Sequence, residues 1–126
     1  MNDTVSIQRQ DAALTVTITR ESRRNALNED VAAGIAAALD QAEGDHSIRA
    51  VVLTGAGDKA FCAGGDLQPN AEGTPFTIDA ADPDHYVARL FRRMNATRLP
   101  LIAKVNGHAL AGGFGLVGGC DLVVAR

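Results

Sequence analysis

Polar and apolar side chains alternate along the first twenty residues. The stretches "TVSIQ" (4–8) and "ALTVTITR" (13–20) are also rich in β-branched residues. That combination predicts two strands, with the short polar "RQDA" turning between them. From Asn28 the period lengthens, and Val31, Ile35, Leu39 and Ala42 fall on one helical stripe. Asn28 is a natural N-cap, Glu29 and Asp30 suit the positive end of the helix dipole, and Gly44 can close the helix. Gly34 inside it costs about 1 kcal/mol relative to alanine, which the stripe outweighs. "IRAVVLTG" (48–55) has a continuous apolar centre and predicts a strand buried on both faces. Residues 68–84 collect Pro, Asn, Asp and Gly and read as a long loop. "HYVARLFRRMNATRL" (85–99) predicts a second amphipathic helix with Val87, Leu90, Phe91 and Met94 inward and Pro100 marking its end. "LIAKV" (101–105) predicts another strand, "GGFGLVGGC" (112–120) a glycine-rich turn or short helix, and "DLVVA" (121–125) a last strand. Helices alternating with buried strands make the class α/β. The sequence stops at Arg126 directly after an apolar strand, where a covering helix would usually follow, so part of the fold is expected to be missing.

Composition narrows this picture. With 126 residues the chain is expected to form one domain, long enough to bury a core. A formal net charge of −3 gives no electrostatic reason to expect nucleic acid or an anionic membrane as partner. No apolar run approaches membrane-spanning length, and "MNDTVSIQRQ" lacks the basic start and apolar stretch of a signal peptide. Cys62 and Cys120 stand far apart with no ligand cluster beside them, which suits a reducing cytoplasm better than a disulfide framework. His46, His85 and His108 have no metal-ligand spacing, so no metal is expected. Ser6, Ser22 and Ser47 are the only serines, and none sits in a GxSxG setting, which argues against a serine hydrolase.

The remaining signal is glycine. "GAGDKA" (55–60) follows a strand and matches GxGxxA, the spelling of a dinucleotide-binding turn. That turn must open a helix whose N-terminus faces the pyrophosphate, whereas here "FCAGGD" places two more glycines where the helix should run. No Gly-Lys-Ser/Thr occurs, so there is no P-loop. A second glycine segment, "VNGHALAGGFGLVGGCDL" (105–122), also follows a strand. Small residues past buried strands let backbone approach a ligand closely. Either segment alone reads as an ordinary turn. Together they can aim two N–H groups at one oxygen, as a developing enolate or tetrahedral oxyanion requires.

Four ordered segments carry a resemblance: "RRNALN", "IRAVVLTGAGDKAFCAGGDL", "PLIAKVNGHALAGG" and "CDLVVA". From about Arg23 to the end, the sequence resembles the enoyl-CoA hydratase/isomerase, or crotonase, family. The resemblance implies a crotonase-like (ClpP/crotonase) spiral of ββα repeats. Residues 1–126 would be the N-terminal part of a single such domain, without its usual C-terminal helical portion. It implies an acyl-CoA thioester as substrate, with coenzyme A arriving as part of that substrate and no separate cofactor. The oxyanion donors would be the backbone N–H groups of Gly65 and Gly112. Ala63, Gly64, Asp66 and Leu67 would line the adenine and pantetheine path, and Arg24, Ala26 and Leu27 would approach the CoA from the "RNAL" turn. A full-length parent would be a cytoplasmic homotrimer or hexamer.

The sequence also departs from the family. Hydratases of this family use two glutamates, and the first would fall three residues after the second oxyanion glycine, where this chain has Gly115. Glycine can neither activate water nor deliver a proton. The second would lie beyond Arg126. Enoyl-CoA hydration remains the generic expectation that the resemblance implies. Isomerisation with one carboxylate from outside the chain stays open beside it, as does a catalytically inactive acyl-CoA-binding domain or truncated fragment. Ala111, where many members have glycine, is expected to be a minor change because its N–H remains.

Overall fold

The computed structural model describes residues 3–65 and 85–125. Strands β1 (Val5–Gln10) and β2 (Ala13–Ile18) pair antiparallel, from Val5 opposite Ile18 to Gln10 opposite Ala13. The first strand runs two residues further than its alternation predicts. Only Asp11 and Ala12 are needed to turn, because Asp11 takes a left-handed φ of 53° that aspartate tolerates. Helix α1 (Glu29–Glu43) begins as expected, with Asn28 Oδ1 accepting from Val31 N at 2.9 Å. It buries Val31, Ile35, Leu39 and Ala42, together with Ala32 and Ala38.

β3 (Ala50–Gly55), β5 (Leu101–Val105) and β7 (Leu122–Ala125) extend the sheet in the order β1-β2-β3-β5-β7, each parallel to its neighbour from β2 onward. β4 (Ala60–Cys62) and β6 (His108–Ala109) form a separate parallel pair that the sequence pattern did not reveal. Besides β1-β2-α1, whose strands both lie in the large sheet, two ββα units occur among the described residues. β3 and β4 precede α2 (Tyr86–Ala96), and β5 and β6 precede α3 (Gly112–Gly118), with the first strand of each in the large sheet and the second in the small one. β7 is the outermost strand, and Leu122, Val123 and Val124 are exposed along it.

Leu14, Val16, Ile18, Val51, Leu53 and Leu101 of the sheet pack with Ile35 and Leu39 of α1 and Leu90 and Met94 of α2. β3 is not buried equally on both faces. Val51, Leu53 and Gly55 are buried, while Ala50, Val52 and Thr54 are half-buried. Helix α2 stops at Ala96, short of the expected Pro100. Glu43 at the end of α1 accounts for this, accepting from Thr97 Oγ1 at 2.6 Å and from Arg98 N at 3.3 Å, which holds Thr97 extended. Val87 and Phe91 are half-buried against the core, and Leu90 and Met94 fully buried, as the α2 stripe predicts. The expected loop at 68–84 lies outside the described residues. Among the described residues, no helix is long and apolar enough to cross a membrane.

Candidate active site

The segment after β4 is the centre of the site. Its first neighbour is the "RNAL" turn, which leaves β2 through a 3₁₀ turn at Glu21–Arg23. Arg24 and Asn25 both adopt left-handed backbone, with φ of 53° and 57°. Ala63 N donates to the Arg24 carbonyl at 3.1 Å, and Leu27 N donates to the Gly64 carbonyl at 2.7 Å. Arg24 thus joins the site through its carbonyl, and its side chain is exposed. Ala26 and Leu27 are buried.

Those two bonds do not belong to one regular parallel ladder. After Ala63 N has donated to Arg24, a regular ladder would have Gly65 N donate to the Ala26 carbonyl. That carbonyl instead accepts from Arg20 Nη1 at 2.6 Å. The register breaks at Gly64, whose φ is +107°. In a trans peptide the C=O and N–H point opposite ways. Since the Gly64 carbonyl faces Leu27, the Gly65 N–H faces the other side of the segment.

On that other side lies the second glycine segment. β6 pairs with β4, and Leu110 N donates to the Cys62 carbonyl at 3.1 Å. Gly113 N then donates to the Leu110 carbonyl at 2.8 Å, closing a tight turn with Ala111 at φ 48°, ψ −115°. This is the II′ kind of turn, whose second residue is ordinarily glycine. The expectation that alanine here is a minor change is therefore corrected: its N–H is available, but its Cβ is strained. Gly113 packs so tightly on Cys62 that an added Cβ would collide with the Cys62 carbonyl. Gly112, the first residue of α3, has no intrahelical acceptor for its N–H. A Cβ on Gly112 would lie 3.8 Å from Gly65 N, and one on Gly64 would lie 3.8 Å from Gly112 N. The two segments are thus in contact along one seam. Among the described residues, neither the Gly65 nor the Gly112 N–H donates a hydrogen bond.

Leu27 supplies an apolar wall, its Cδ2 3.8 Å from the Cβ position of Gly112. Gly115 faces the Phe91 ring, which approaches its Cβ position to 2.9 Å. Burial pushes the Cys62 thiol above its ordinary range. Burial, and then Asp121, push Cys120 up to about 11, so neither thiol is poised as a nucleophile. His85 caps α2 by accepting from Val87 N, and His108 sits exposed on β6. Among the described residues, no group of three His, Cys, Asp or Glu side chains could hold a metal. Asp66 and Leu67 lie outside the described residues, while Arg24, Ala26, Leu27, Ala63, Gly64, Gly65 and Gly112 converge on the seam.

Sequence reasoning missed the two asparagines that hold this seam. Asn25, 1% exposed, accepts from Arg20 N at 2.9 Å and donates through Nδ2 to Ala56 O at 3.0 Å and Ala60 O at 2.8 Å. Asn106 accepts from Gly55 N at 3.2 Å and donates to Gly57 O at 2.9 Å and Ala60 O at 3.2 Å. The available signal was an asparagine inside each of the quoted motifs, "RNAL" and "VNG", at points where the chain must turn.

The ββα units, their separate small sheet and the glycine seam define the crotonase fold. The family model for enoyl-CoA hydratase/isomerase matches residues 8–126, and the chain belongs to that family. It is 39% identical over 120 residues to a probable enoyl-CoA hydratase, echA6, of Mycobacterium tuberculosis, covering 95% of this chain and 46% of that protein. A short-chain-enoyl-CoA hydratase of Clostridium acetobutylicum is 36% identical over 121 residues, 96% of this chain and 46% of the relative. Among solved structures, a carnitinyl-CoA dehydratase from Mycobacterium avium superposes with a TM-score of 0.81 at 42% identity, covering 97% of this chain and 46% of that one. An enoyl-CoA hydratase from Bacillus anthracis gives 0.82 at 30% identity, covering 98% and 47%. The chain therefore spans about half the length of the relatives it matches.

Proposed function

We propose that this chain carries the thioester-binding and oxyanion-stabilising part of an acyl-CoA-processing site, with enoyl-CoA hydration as the family's generic reaction. The observation behind this reading is the turned peptide at Gly64, which leaves the Gly65 N–H facing the segment that bears the Gly112 N–H. Both donors would hold the thioester oxygen as negative charge develops on it. A donor of this kind is worth about 2.7–4 kcal/mol of transition-state stabilisation. The CoA would run along Ala63, Gly64, Asp66 and Leu67 and pass the Arg24, Ala26 and Leu27 turn. In a longer parent the reading includes a cytoplasmic homotrimer or hexamer.

Gly115 favours a second reading. The position three residues past Gly112 offers no proton donor or acceptor, and a phenyl ring fills its side-chain space. Isomerisation with one carboxylate from outside residues 1–126, or acyl-CoA binding without turnover, needs less of this chain than hydration does.

The test is titration with acetoacetyl-CoA, following the ultraviolet absorbance of its enolate. The unaltered chain is expected to bind saturably with a raised enolate band. Gly112→Pro removes one donor at the first helical position, where proline is tolerated, and is expected to keep binding but lose the band. Cys120→Ala is expected to keep both. Binding without the band in the unaltered chain, or equal loss in both variants, would sink the oxyanion assignment.

A further inference from the structure

The geometry points to Phe91 as the residue that limits the length of acyl chain admitted beside the two donors. This inference rests on the thioester reading above and goes further, to the class of acyl group.

Gly112 and Gly115 are three residues apart on α3, so they share a face of the helix, nearly one turn or about 4.5 Å apart along its axis. Cα–Cβ bonds tilt toward a helix N-terminus, so a side chain at 115 would project back toward Gly112. The Phe91 ring already occupies that volume. It enters end-on, with Cζ at 2.9 Å, Cε2 at 3.4 Å and Cε1 at 3.8 Å from the Cβ position. On the same helix face, the Cβ position of Gly112 lies 3.8 Å from Gly65 N. A thioester oxygen seated on the donors therefore has the tip of an apolar ring nearly one turn away. Phe91 is half-buried, and the side chains flanking it on α2, Leu90 and Met94, are buried in the core. The ring is thus anchored behind while its tip stays at the site.

An acyl chain leaving the donors along α3 runs into this ring. The site as built suits short, unbranched acyl thioesters, and longer chains require the ring to leave. Removing it opens an apolar space lined by the α3 backbone.

The experiment is calorimetric titration of the full chain and of Phe91→Leu and Phe91→Ala with CoA, acetyl-CoA and hexanoyl-CoA. The ratio of hexanoyl-CoA to acetyl-CoA affinity is expected to rise about tenfold in Phe91→Ala, as roughly two further methylenes are buried. In Phe91→Leu it is expected to rise by a smaller factor, and CoA itself is expected to bind all three proteins alike. If Phe91→Ala fails to fold by circular dichroism, Phe91→Leu decides. An unchanged ratio in the folded variants, or equal tightening of both thioesters, overturns the role of Phe91 and leaves the thioester reading standing. If no thioester binds the unaltered chain, the thioester reading fails and takes this inference with it.

Discussion

Asn25→Ala is the perturbation on which the structural argument is most exposed. The side chain makes three hydrogen bonds, to Arg20 N, Ala56 O and Ala60 O, and is 1% exposed. Each is worth about 1 kcal/mol net, giving roughly 3 kcal/mol for the set. The Ala60 carbonyl is not orphaned by the change, because Asn106 Nδ2 still donates to it at 3.2 Å. The backbone adds a second term. Asn25 sits at φ 57°, where alanine pays about 1 kcal/mol more than asparagine. The expected loss is about 4 kcal/mol, a large share of the usual stability of a domain this size. Asn25→Gly bears on the second term, since glycine loses the same hydrogen bonds without the left-handed penalty but adds roughly 0.4–1 kcal/mol of unfolded-chain entropy, and should lose no more than Asn25→Ala. Urea unfolding with linear extrapolation measures both. A loss under about 1.5 kcal/mol for Asn25→Ala would refute the hydrogen-bond argument. Asn25→Gly proving clearly less stable than Asn25→Ala would refute the backbone argument.

Two further outcomes follow from the same physics. Ala111→Gly should raise the urea midpoint, by up to about 1 kcal/mol of stability, because relief at φ 48°, ψ −115° exceeds the extra entropy of the unfolded chain; a lower midpoint would contradict the turn assignment. Glu43 titrates below its ordinary value because the Thr97 hydroxyl, and then Arg93, hydrogen-bond its ionised form. A depressed folded-state pKa stabilises above the unfolded value of about 4.3 and is lost as the pH falls through the folded one. Glu43→Gln should therefore be less stable at pH 7 and decline less steeply toward about pH 3. Parallel stability curves for the two proteins would overturn that assignment.

The legible parts of this sequence were those where one periodicity spans many residues. The α1 stripe with its Asn28 cap, the α2 stripe and the strands of the large sheet all follow from local pattern. β4 and β6 were not legible because three and two residues cannot express a period, and each is a strand only because the other lies beside it. The end of α2 was misplaced because a side chain from α1 sets it, through Glu43, and Pro100 does not. The candidate glycines were found from their motifs. Asn25 and Asn106 were passed over because, Arg20 aside, the partners described above lie 31 to 51 residues away along the chain. The strain at Ala111 was invisible because composition carries no φ angle.

The placement of the two proposed donors depends on register more than on any side chain at the seam. Between Cys62 and Gly65 the chain first pairs normally, with Ala63 N on the Arg24 carbonyl, and then changes register at Gly64. Without that change, the Gly65 N–H would turn toward Ala26 and be consumed by the ladder. Two features hold the change in place. Arg20 Nη1 occupies the Ala26 carbonyl, so the competing acceptor is already engaged. A side chain at Gly64 would be strained at φ +107° and would sit 3.1 Å from the Leu110 carbonyl, so no other residue fits there without moving the second segment. Upstream, Asn25 and Asn106 fix the Ala60 carbonyl from two sides and set where the count toward Gly65 begins. Stability and donor geometry therefore meet in the same few residues. Changes at Asn25 or Gly64 should disturb both together, whereas Gly112→Pro removes a donor that the fold does not use.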